Sequence, residues 1–169
     1  GIIQSRGADT YEREREKLIN NIMKTANATL TITKTKDKAT FEISIKRTSK
    51  ESYLMGNSSL LINFDKYSFA NPKLTYANPM YSTGPYDPLE MAVIWRRVLA
   101  LQVRINAMPI VQVPTTNEIF ATVEFDLIGN SQNVGWRSID TAIVTPDYLE
   151  VTTNYSLIFA EDKIFRKKK

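Results

Sequence analysis

The stretch ATLTITKTKDKATFEISIKR, residues 28–47, decides the fold. Leu30 and Ile32 alternate with Thr29, Thr31 and Thr33. After Lys36, Asp37 and Lys38 the alternation resumes with Phe41, Ile43 and Ile45 against polar neighbours. Period two over both halves, with a polar break between them, predicts a hairpin that buries one face and wets the other. A helix cannot use this pattern, because a 3.6-residue period would scatter the same side chains around its surface.

The pattern continues outward from the hairpin. SLLINF (59–64) alternates, with Leu60, Ile62 and Phe64 inward, and KLTY (73–76) is a shorter strand. Residues 77–88, ANPMYSTGPYDP, contain three prolines and read as a loop or edge segment. Residues 90–106 have a helical stripe in Met91, Ile94, Trp95, Val98 and Leu101. LALQVRI alternates cleanly, however, and favours two strands or one bent strand. EIFATVEFDL (118–127) is the strongest strand, with Ile119, Ala121, Val123, Phe125 and Leu127 expected on one face. VGWRS, TAIVT and YLEVTTNYSLIF complete the set. Short strands in succession, without βαβ alternation, predict an all-β protein: a two-sheet antiparallel β-sandwich of the jelly-roll type.

One segment departs from this pattern. TYEREREKLINNIMK, residues 10–24, reads as a helix over about 9–26. Asp9 or Thr10 caps it, and Glu12, Glu14 and Glu16 favour its dipole. Tyr11, Leu18, Ile19, Ile22 and Met23 form a narrow apolar stripe opposite a charged face, the mark of a helix that lies on another surface. The expected organisation is an N-terminal arm (1–27), a sandwich (28–160) and a basic tail (161–169) ending in Arg166, Lys167, Lys168 and Lys169.

Composition narrows the function. The chain of 169 residues has no cysteine and no histidine. Disulfides, thiolate and imidazole metal sites, and Cys- or His-based catalysis are thereby excluded. The expectation is a non-enzymatic protein without a cofactor. A glycosidase needs only two carboxylates. Asp65, Glu90, Glu118 and Glu124, with Asp126, Asp140 and Asp147, are available, but no motif singles out a pair. No apolar run is long enough to span a bilayer. The net charge of +4 lacks the basic stripe interleaved with aromatics that nucleic acid requires. Three N-x-[ST] sequons, at Asn27, Asn57 and Asn154, are about what chance supplies.

MGNSSLLINFDKYSFANPKLTYANPMY (55–81) and EIFATVEFDLIGNS (118–131) carry a resemblance. A strand ending in Phe64-Asp65 leads into a turn and a short strand, and a late strand packs against it. In this order of strands and turns, residues 28–160 resemble the cohesin-like β-sandwich modules of bacterial extracellular proteins. The resemblance implies secretion. The chain starts at Gly1, so the expectation is a mature extracellular or cell-surface form whose signal peptide has been removed. It also implies binding, as cohesin-type modules bind dockerins. The charged arm is not part of such a module.

Two functional readings follow. In the leading one the chain is a structural protein that self-associates into a surface filament. The N-terminal arm (Ile2, Ile3, Tyr11, Leu18, Ile19, Ile22 and Met23) then docks on the next copy. In the alternative it is a binding module for polysaccharide or a partner protein. Tyr76, Tyr81, Tyr86 and Trp95 then offer flat rings to the ligand, unless the tyrosines simply cover the end of the sandwich.

Overall fold

The computed structural model describes residues 10–13 and 23–160. Nine strands occupy Thr25–Ala160: β1 (Thr25–Lys34), β2 (Lys38–Arg47), β3 (Ser58–Asn63), β4 (Phe69–Ala77), β5 (Glu90–Ile94), β6 (Val98–Val103), β7 (Glu118–Leu127), β8 (Gly135–Trp136) and β9 (Thr152–Ala160). They form a five-stranded sheet in the order β4-β7-β2-β1-β9 and a four-stranded sheet in the order β5-β6-β3-β8. The predicted β-sandwich is the fold.

The opening hairpin forms as its alternation requires. Leu30 faces Ile43 and Ile32 faces Phe41 across the β1–β2 ladder, and all four are fully buried. The Thr35 N–H closes the turn on the Lys38 carbonyl at 2.8 Å. Burying each such side chain stabilises the fold by about 1.5–3 kcal/mol. Phe41 lies 4.6 Å from Phe125 and 5.2 Å from Phe69, so aromatic rings from β2, β7 and β4 meet at one end of the core. Leu60, Ile62, Leu99 and Leu101 supply the opposing layer from β3 and β6.

Three expectations are corrected or sharpened. The β2–β7 register shifts between Ile43 and Ser44, where Ile43 pairs with Ala121 and Ser44 with Ile119. Phe120 is the extra residue of that bulge. It turns inward to near-complete burial, while Ile119, expected inside, is 39% exposed. Residues 90–106 hold two strands joined by a tight turn, in line with the alternation and not with the helical stripe. The ladders are antiparallel with one exception: β1 and β9 run parallel, Thr25 beside Thr152 and Thr33 beside Ala160. Pairing of the first strand with the last is a non-local property that no local pattern announces.

Of the N-terminal arm, Thr10–Arg13 has helical backbone. Tyr11 and Met23 are exposed; Ile2, Ile3, Leu18, Ile19 and Ile22, like the basic tail, lie outside the described residues.

Candidate functional site

The two outer faces of the sandwich differ in chemistry. On the five-stranded sheet β1 presents Thr29, Thr31 and Thr33, with Glu42 and Thr40 opposite on β2. There Lys38 bonds Asp126 at 2.7 Å and stands 3.9 Å from Glu124. Hydrogen bonds from Asn71 and then Lys38 hold the Asp126 carboxyl below the usual carboxylate range, and Asp126 in turn raises Lys38. Lys38, Glu124 and Asp126 thus pair with one another on this face.

The four-stranded sheet behaves differently. Leu60 and Ile62 of β3 point into the core, so Leu61 between them points out. With Val98 and Ala100 of β6 it makes a second buried apolar cluster, separate from the main core, and half-buried Ile94 of β5 packs over it. At one end of this face a hollow of about 360 Å³ is lined by polar groups including Asn57, Ser59, Asp87, Gln102 and Arg104. Arg104 stands 3.5 Å from Glu90 there.

The other end is built on the β5–β6 turn. Arg97 N–H donates to the Ile94 carbonyl at 3.1 Å, and Trp95 and Arg96 both adopt left-handed backbone, with φ of 52° and 59°. Hairpin turns of this kind recruit Asn or Gly, because a side chain at positive φ costs about 1–2 kcal/mol per residue. Here a tryptophan and an arginine occupy both positions, and Trp95 remains 64% exposed. The neighbouring Phe64 N–H donates to the Arg97 carbonyl at 2.8 Å, which ties the turn to the end of β3. Just after β8, Arg137 reaches across with its guanidinium 5.4 Å from the Trp95 ring centroid. Two adjoining hollows of about 220 and 230 Å³ share Phe64, Arg97 and Asn133. Lys66, Tyr67 and Trp95 edge the first, and Arg137 and Asn63 the second.

The rings expected to bind a ligand are dispersed. Tyr81 and Tyr86 are 1% and 4% exposed and pack edge to face 6.0 Å apart, with Phe120 against Tyr81. The proline-bounded loop folds back over the end of the sandwich and inserts both rings into the core, so neither is available to a ligand. A short 3-10 turn, Pro79–Tyr81, capped by the Asn78 side chain on Met80 N–H, aims Tyr81 inward. Tyr76 is partly exposed on β4, in the other sheet from the β5–β6 turn, so it forms no strip with Trp95. Of the four rings, Trp95 alone stands at the apolar face. The alternation did not single out Arg97, Arg137, Lys66 or Tyr67. The signal available for Arg97 was IWRRV (94–98), a hairpin turn without Gly or Asn, and no local pattern marks the other three.

Among the candidate carboxylates, Asp65 and Asp147 hold structural duties. Asp65 accepts from Tyr67 N–H at 2.9 Å, and Asp147 is held below the usual carboxylate range, first by the Thr145 hydroxyl. Among the described residues no three acidic groups gather to hold a metal ion, and no helix is long and apolar enough to cross a membrane.

With this geometry in place, comparison with solved structures is informative. A type I cohesin of Clostridium thermocellum, solved in complex with a dockerin, matches with a TM-score of 0.58 and 14% identity over 80% of this chain and 99% of its own. The seventh ScaB type I cohesin from Pseudobacteroides cellulosolvens also gives 0.58, at 10% identity over 80% and 92%. A type II cohesin of Acetivibrio cellulolyticus, solved in a cohesin–X–dockerin complex, gives 0.56 at 14% identity over 79% and 95%. The chain has the cohesin fold. No protein-family model and no curated protein sequence matches it. The cohesin fold thus stands on shape, while the turn and cation cluster just described are properties of this sequence.

Proposed function

We propose that the chain is a non-enzymatic extracellular module that binds a protein partner on the outer face of its four-stranded sheet. The difference between the two outer faces carries this reading. One is a threonine ladder on which Lys38 pairs with Glu124 and Asp126, and the other has flanking hollows, half-buried Ile94 over a buried apolar cluster, and an exposed tryptophan on a strained turn. Protein interfaces favour an apolar centre with aromatic and arginine residues around it. Solved cohesins of the same fold, captured with dockerins, support a dockerin-like module as the class of partner. Burial of Tyr81 and Tyr86 counts against a polysaccharide strip. Docking of the N-terminal arm on a second copy draws no support from the described residues, where Tyr11 and Met23 are simply exposed.

Calorimetric titration against a panel of dockerin modules tests the proposal. Binding at about micromolar affinity or tighter is expected for at least one member. Ile94→Asp, on the apolar cluster, should abolish it, and Thr31→Asp, on the opposite face, should leave it intact. If no member binds, and sedimentation at high concentration instead reveals a polymer that is lost when residues 1–26 are deleted, self-assembly through the arm is the correct function.

A further inference from the structure

We propose that the hollow beside the β5–β6 turn is a carboxylate-binding site, taking an acidic segment of a protein partner between Arg97 and Arg137 with Trp95 against it. The inference rests on the protein-partner reading and gives one end of that face a defined chemistry.

Three cations line the two hollows: Arg97 from the turn, Arg137 just after β8 and Lys66 from the segment after β3. None has a carboxylate within ion-pair distance among the described residues, whose ion pairs are those of Lys38 with Glu124 and Asp126 and of Arg104 with Glu90. Lys66 and Arg137 instead lie over the rings of Tyr67 and Trp95, at 5.1 and 5.4 Å. The one acidic group lining the hollows, Asp65, has its oxygens turned to Tyr67 N–H and the Ser68 hydroxyl. Arg137 is half-buried, and its Nε–H is fully buried without a hydrogen-bond partner among the described residues. The fork of a guanidinium matches a planar acceptor with two oxygens.

The form of the site favours a peptide. Hollows of about 220 and 230 Å³ on either side of Arg97 each admit one side chain of aspartate or glutamate size. An acidic polysaccharide would want further ring platforms along a strip, and Trp95 has none beside it except Tyr67. A nucleic acid would need cations spaced along the sheet, but the other end of the face holds Arg104 paired with Glu90. The strained backbone at Trp95 and Arg96 fits the same purpose, since positive φ at two large residues persists where their side chains are required in place.

The test uses the whole chain and an acetylated hexaglutamate peptide, with hexaglutamine and polygalacturonate as comparison probes, at low salt. Hexaglutamate should bind with saturation and perturb the fluorescence of Trp95, and hexaglutamine should not. Arg97→Glu should weaken binding at least about tenfold, the loss of one charge-assisted pair. Arg137→Gln should do the same, and Thr31→Asp on the far face should have no effect. Because Arg137 is half-buried, Arg97→Glu, at an exposed position, decides the matter if the Arg137 variant fails to fold. Equal binding of hexaglutamate by wild type and Arg97→Glu, or saturable binding of polygalacturonate alone, overturns the proposal. Loss of dockerin binding in Ile94→Asp with hexaglutamate binding retained is the expected division between the two readings. If hexaglutamate does not bind while a dockerin does, the carboxylate site fails and the partner reading stands.

Discussion

Tyr81 and Tyr86 lie edge to face in the core, yet their hydroxyls meet different surroundings. The Tyr86 hydroxyl donates to the Met55 carbonyl at 2.6 Å, whereas the Tyr81 hydroxyl is buried without a hydrogen-bond partner among the described residues. The two Tyr→Phe replacements should therefore act in opposite directions. Tyr86→Phe leaves a buried carbonyl unsatisfied and should cost about 1–2 kcal/mol, while Tyr81→Phe removes an orphaned hydroxyl and should stabilise by about 1 kcal/mol. Urea denaturation of the two variants measures both signs, and equal destabilisation would contradict the arrangement. The sequence left two roles open for these tyrosines, ligand binding or cover for the end of the sandwich. Prolines announce that a segment leaves the sheet, but the direction of a ring depends on Asn78 capping the 3-10 turn and on Phe120 across the core.

Among the elements, alternation told which residues of β1, β2 and β3 face inward, because each of these strands keeps one pleat throughout. It failed in β7, where one extra residue re-phases the strand and exchanges Ile119 for Phe120. A bulge leaves no mark on a run of apolar residues, since Ile, Phe and Ala are acceptable on either side of it. The candidate site was half readable: Trp95 stood out by its type, but Arg137 follows a strand of only two residues, and its neighbours in space lie far off in sequence. Close backbone approach is equally silent. Gly56 donates its N–H to the Val144 carbonyl at 2.6 Å, and a Cβ there would stand 2.4 Å from the Thr145 carbonyl oxygen and 2.7 Å from Pro146 N. These are backbone atoms that cannot rotate aside. Gly56→Ala should destabilise by about 1–3 kcal/mol or more, whereas Gly135→Ala, with nothing within 4 Å, should leave the melting temperature close to wild type. Thermal melts of the two variants compare them directly.

For the molecule as a whole, the core responds to alkali through its tyrosines. Burial pushes the Tyr53 phenol up to about 12, against a smaller lowering by Arg47, and pushes Tyr86 up to about 12; Tyr81 is driven up further by burial. Exposed phenols ionise near pH 10. Below that value both folded and unfolded chains hold these protons and the stability is fully present. As the pH rises from about 10 toward 12 the unfolded chain gives up protons that the folded chain retains, so stability falls. The slope reaches about 1.4 kcal/mol per pH unit for each phenol in that window. The urea midpoint should drop steeply between pH 10 and pH 11.5 and stay nearly level from pH 8 to pH 9. A level midpoint across the whole range would contradict the burial of these phenols.

The parallel pairing of β1 with β9 has a mechanical consequence. Nine register pairs, from Thr25 beside Thr152 to Thr33 beside Ala160, bind the two strands along their length. Because they run in the same direction, tension from chain ahead of Thr25 to chain beyond Ala160 pulls the strands past one another. At about 3.3 Å per residue the points of attachment lie some 30 Å apart, at opposite ends of the sandwich. Such a load falls on the whole ladder at once, in shear, and cannot peel its hydrogen bonds one by one. A partner held on the four-stranded sheet would therefore ride on the face away from the strands that take the strain.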